Sequence, residues 1–137
     1  MKNLFSPEWM QAYQAQWNQD VELKDALAQI HFDSNIGYGF KNDPHPRGVI
    51  IVKNGEVVAA EPYNNQPLNW DLRADEKDWQ QWLKRGIKMM GLSAAYLQGK
   101  IKFAVGDYTA MIKDPRMVKP FLKTFVVMGQ VNSFSSL

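Results

Sequence analysis

Two apolar runs, Val49–Val52 and Val57–Ala60, flank the pair Asn54-Gly55. That arrangement commits the middle of the chain to a β-hairpin, because Asn-Gly accepts the positive φ angles that a two-residue turn between twisted strands requires. Both arms are apolar on successive residues, which predicts cover on both faces and a central place in the sheet. Three further stretches alternate with period two. Phe32, Ile36, Tyr38 and Phe40 alternate with polar residues and glycines, Leu68, Trp70 and Leu72 with Asn69, Asp71 and Arg73, and Ile101, Phe103 and Val105 with Lys100, Lys102 and Ala104. Five strands follow, the first four antiparallel in appearance.

The remaining segments have helical spacing. Ser6 stands as an N-cap before Pro7, and Trp9, Tyr13 and Trp17 recur every four residues. Asp20 begins a second helix with Leu23, Ala26, Leu27 and Ile30 on one face. Asp75 opens a third that carries Trp79, Trp82 and Leu83 and stops at Gly86. Met89–Leu97 forms a fourth, a short amphipathic helix with Met90, Leu92, Tyr96 and Leu97, and Tyr108–Ile112 suggests a further helical turn or two. From Asp114 a last helical region carries Met117, Val118, Phe121, Leu122, Phe125 and Met128. Pro120 must kink that helix or begin a separate segment ending near Gly129. An amphipathic segment behind a kink is either a lid over an apolar opening or a permanently docked part of the core. The fold class is α+β: a five-stranded, mostly antiparallel sheet covered by helices with an apolar cavity. The whole of 1–137 is expected to be one domain, with N-terminal helices over 6–30 and a helical tail over 114–131.

Composition narrows the chemistry. The chain has no cysteine, which excludes disulfides, thiolate catalysis and Cys-built metal sites. A net charge of +2 gives no strong field that would recruit nucleic acid or an anionic membrane. No run reaches the ~20 apolar residues of a transmembrane helix, so no stable membrane insertion is expected. Pro7 and Glu8 interrupt any secretory leader. Ser135-Ser136-Leu137 lacks the lysine of the peroxisomal tripeptide, leaving cytoplasmic as the expected location.

There is no phosphate-cradling glycine loop, nucleophile elbow or zincin helix. Gly37-Tyr38-Gly39 reads as a bulge or a tight packing contact. His31 and His45 are the two imidazoles, and the plainer reading makes each an ordinary polar residue; the sharper one is a small enzyme using either with a nearby carboxylate. Asp71, Asp75, Glu76 and Asp78 read better as a strand end and helix N-terminus than as a metal site. Lys84, Arg85, Lys88, Lys100 and Lys102 are a solvated rim, or a patch that meets an anionic headgroup or carboxylate at a pocket mouth.

The wide, deformable side chains of the second half are core, or the lining of an adaptable apolar site. The residues in question are Trp79, Trp82, Leu83, Met90, Leu92, Tyr96, Phe103, Met111, Phe121, Phe125 and Met128. Three stretches then occur in a telling order: the hairpin Gly48–Gly55, the helix opening Asp75-Glu76-Lys77-Asp78-Trp79, and the run Ala95–Asp107 with its Tyr96, Gly99-Lys100 and Gly106-Asp107. Over residues 30 to 113 the chain resembles the sterol carrier protein 2 (SCP-2) domain family. The resemblance implies helices over one face of the sheet and, between them, an apolar tunnel for a fatty acid, fatty acyl-CoA, sterol or other lipid. It implies a hydrophobic small molecule as partner, with no catalysis and no cofactor, and leaves the oligomeric state open. The eleven residues above are its expected lining. The other reading is an interaction module with a filled core and an exposed apolar patch.

Overall fold

The computed structural model describes residues 3–135, so Ser136 and Leu137 of the C-terminal tripeptide, and Met1 and Lys2 of the leader reading, lie outside the described residues. The elements run α1 (Pro7–Gln19), α2 (Val21–Gln29), β1 (Ser34–Phe40), β2 (Gly48–Lys53), β3 (Glu56–Pro62), β4 (Trp70–Ala74), α3 (Glu76–Arg85), α4 (Met89–Leu97), β5 (Ile101–Val105), α5 (Tyr108–Ile112) and α6 (Pro115–Ser135). Two caps work as their sequences dictate. The Ser6 hydroxyl accepts the Trp9 N–H at 3.2 Å, and the Asp20 carboxylate accepts the Leu23 N–H at 2.9 Å.

The strands form one sheet in the order β3-β2-β1-β4-β5. Three ladders are antiparallel, but β1 and β4 run parallel, pairing Ile36 with Trp70 and Tyr38 with Leu72. The first four strands are therefore not all antiparallel. A parallel neighbour is reached by a long connection and leaves no trace in local alternation. The hairpin is also not central. Its first arm is covered on both faces, with Val49 and Ile50 fully buried, whereas β3 is an edge strand and Val58 is 52% exposed. That edge is managed by α1. The Asn18 amide donates to the Val57 carbonyl at 2.8 Å and accepts its N–H at 2.9 Å, and Gln14 donates to the same carbonyl at 3.0 Å.

The two faces of the sheet differ. On one, Ile36, Tyr38, Ile50, Leu72, Ala74 and Ile101 are buried beneath the helices. On the other, the loop before β2 lies against β1. A Cβ on Gly39 would come within 2.9 Å of the Pro46 backbone, which identifies the glycine pair as a tight packing contact. The same face holds Arg73, which donates to both carboxylate oxygens of Asp71 at 2.6 and 3.0 Å and to the Asp43 carbonyl at 2.8 Å.

Pro120 lies inside α6, and the helix continues past Gly129 as one element. It stands beyond the first turn, where its missing N–H removes one interior backbone hydrogen bond without ending the helix. Beyond Pro120, Phe125, Val127, Met128 and Val131 are buried at 0–1% exposure. The helices α3 and α6 approach so closely that a Cβ on Gly129 would sit 2.3 Å from the Leu83 carbonyl oxygen. In this structure that part of the tail is docked against α3 and buried with the core.

Candidate functional site

Between the helices and the covered face of the sheet lies an apolar slot of about 40 Å³. Its floor is Ile36 and Tyr38 of β1 with Trp70 and Leu72 of β4. Its walls are Trp17, Leu27 and Phe32 on one side, and Met111, Met117, Pro120, Phe121 and Thr124 on the other. Three polar groups at its edge are engaged elsewhere. Trp17 Nε1 donates to the Gly55 carbonyl at 2.9 Å, the Thr124 hydroxyl donates to the Phe121 carbonyl, and the Tyr38 hydroxyl lies 2.9 Å from that of Tyr13. Burial pushes both tyrosine hydroxyls well above their usual range, and this desolvation outweighs the influence of either hydroxyl on the other. The slot thus presents uncharged, saturated surface. It suits hydrocarbon.

Of the eleven side chains expected to line a pocket, Met111 and Phe121 border the slot. Phe103 is joined to it through Phe121 and Trp70, at ring separations of 5.9 and 6.0 Å. Tyr96 packs on Phe103 and stacks on Tyr108 at 3.7 Å, carrying the aromatic chain outward. Trp79, Trp82, Leu83, Leu92, Phe125 and Met128 are buried in the core, where Trp79 stacks on Phe125 at 6.0 Å. Met90 stands apart at 87% exposure.

Sequence reasoning missed most of the slot's border because it looked to the second half of the chain. Trp17 and Tyr38 come from the first. The signal was present in the Trp9, Tyr13, Trp17 stripe, whose rings meet Phe5 and Tyr38 in a continuous aromatic interior. This stripe fills space that would otherwise be cavity, which is why so little remains.

His31 and His45 are both exposed, and neither borders the slot; His45 stacks on Tyr63 instead. The reading that used either one beside the apolar interior fails on position. The acidic run does not assemble: Asp71 is paired with Arg73, and no cluster of three potential metal ligands occurs among the described residues. No helix among the described residues is long and apolar enough to cross a membrane.

No family model matches the sequence, and no curated protein matches it. Solved structures do. A crystal structure of sterol carrier protein 2 superposes with a TM-score of 0.68 at 18% identity, covering 90% of this chain and 97% of that one. This chain has the SCP-2 fold. A conserved hypothetical protein of Thermus thermophilus, described as possibly a sterol carrier protein, gives 0.70 at 18% identity over 94% of this chain and 90% of its own. The UbiJ-SCP2 ubiquinone synthesis protein gives 0.60 at 12% identity over 93% of both chains. In this SCP-2 fold, the slot lies under the β1–β4 seam, bordered by α5 and the first turns of α6.

Proposed function

We propose that the chain is a non-enzymatic lipid-binding or lipid-transfer domain that takes a fatty acyl, sterol or similar ligand between its sheet and helices. The observation that carries this reading is the saturated apolar slot under the seam of an SCP-2 fold. Its volume of about 40 Å³ is far below the ~300 Å³ at which small-molecule pockets begin, so the bound state requires the lining to move. Met111, Met117 and Phe121 are the side chains to do so, two of them flexible thioethers. Displacing Phe121 opens the slot toward Phe103 and Tyr96. Trp79, Trp82, Leu83, Leu92, Phe125 and Met128 then form the wall behind the ligand. Burial at roughly 25 cal/mol per Å² gives an acyl chain several kcal/mol, enough to offset that rearrangement. The reading needs no cofactor, and we assign it to the cytoplasm.

The filled interior and the exposed side of α4 favour a second reading, an interaction module. One experiment separates the two. Native mass spectrometry of protein purified from cells, followed by titration with a fluorescent fatty acid, is expected to show one lipid per chain. Met117→Trp, which plugs the slot from a half-buried position, is expected to weaken binding by about tenfold or more while the fold is kept. If neither co-purified lipid nor added fatty acid binds, the lipid reading is wrong.

A further inference from the structure

The helix α4, Met-Met-Gly-Leu-Ser-Ala-Ala-Tyr-Leu, contains no charged residue and is apolar around most of its circumference. It buries only Leu92 and Ala95. Met90 and Leu97 are 87% and 83% exposed, and with Ala94 between them they form one stripe along two helical turns. Met89 and Tyr96 widen it. Exposed large apolar side chains in such a run mark a contact surface.

Along the chain on either side of this stripe the charge is of one sign as far as Asp107, and Glu22 of α2 is the one acidic residue lining the groove beside Lys88 and Met89. From Trp79 to Gly106 the charged residues are Lys84, Arg85, Lys88, Lys100 and Lys102, with no Asp or Glu among them. All five are exposed, and none forms an ion pair among the described residues. The chain as a whole is only +2, so the rest of it is net negative. Three of the cations precede α4 and two follow it, so both ends of the apolar stripe are bracketed by positive charge.

We infer that α4 and its flanking lysines and arginine form a docking face for an anionic phospholipid bilayer. A nine-residue helix is about 13 Å long and cannot span a bilayer, but it can lie in the interface with its apolar side among the acyl chains and the cations at headgroup level. Charge selects this partner over a second copy of the chain, because symmetric contact through α4 would oppose five cations with five more. Docking also brings a groove to the membrane. Lys88 and Met89 border an external groove of about 470 Å³ along α2 and α6, and Pro120 borders both that groove and the internal slot. The docking face stands independently of ligand carriage, and its test does not use a carried ligand.

Vesicle flotation through a sucrose gradient tests it. The full chain is expected to float with phosphatidylcholine vesicles containing about one-third phosphatidylglycerol, to stay behind with pure phosphatidylcholine, and to be released by salt. Met90→Glu with Leu97→Glu is expected to cut vesicle partitioning by about tenfold or more with an unchanged circular dichroism spectrum, since both side chains are already in water. Lys100→Glu with Lys102→Glu is expected to cut it by about fivefold per position or more. The inference is overturned if the wild type ignores anionic vesicles, if both double variants bind them as it does, or if the wild type is a dimer that Met90→Glu with Leu97→Glu splits. Fatty acid binding measured on the same variants reports separately on carriage, so a chain that docks and carries nothing overturns only that reading.

Discussion

Arg73 and Asp71 are both under a tenth exposed, on the sheet face turned away from the helices, and their two parallel hydrogen bonds replace the water each ion has lost. Arg73 also ties the loop before β2 to β4 through the Asp43 carbonyl. Arg73→Met leaves a buried carboxylate alone and is expected to cost about 3–5 kcal/mol in urea unfolding; adding Asp71→Leu is expected to recover much of that. A double variant as unstable as the single would refute the pairing. In the sequence Asp71 read as part of an acidic run, because the partner two residues away on one strand face is invisible until burial removes the solvent between them. Tyr13 and Tyr38 give the second prediction at this scale. With both hydroxyls raised by burial, the folded chain holds protons that the unfolded chain releases near pH 10. Stability is therefore intact below that pH and falls above it, by up to about 1.4 kcal/mol per hydroxyl per pH unit. Guanidinium unfolding at neutral and alkaline pH is expected to show a steeper decline in the wild type than in Tyr13→Phe with Tyr38→Phe.

Among the elements, α4 and β5 fall on the residues their patterns predict, Met89–Leu97 and Ile101–Val105, since Gly86 and Gly99 punctuate them locally. The helix α6 was legible as amphipathic but not as lid or core, because an apolar stripe does not say what lies opposite it. Here Trp79 and Trp82 meet Phe125 across the α3–α6 contact. Each of Phe125, Val127, Met128 and Val131 contributes about 1.5–3 kcal/mol by burial, together comparable to the whole stability of a small domain. Deleting residues from Lys119 onward is accordingly expected to abolish the native circular dichroism and the cooperative melt. A folded, cooperatively melting truncate would restore the lid.

For the molecule as a whole, the strands and their count were readable, whereas their order was not. The hairpin is announced by its own turn, but the parallel meeting of β1 with β4 joins residues 34 positions apart, and only the packed sheet specifies it. The slot was hidden for the same reason, since Trp17 and Phe121 come from opposite ends of the chain. The seam also has a kinetic consequence. The β1–β2–β3 meander closes through short connections and is expected to form early in refolding, while the far side of β1 waits for a strand that must arrive from a distance. During that interval the unpaired edge of β1 is open to the same edge on another molecule. Refolding yield is expected to fall as protein concentration rises, and pulse-labelled hydrogen exchange is expected to protect the β2 amides before those of β4. Simultaneous protection of both strands would show that the seam closes with the hairpin, leaving no interval for chains to entangle.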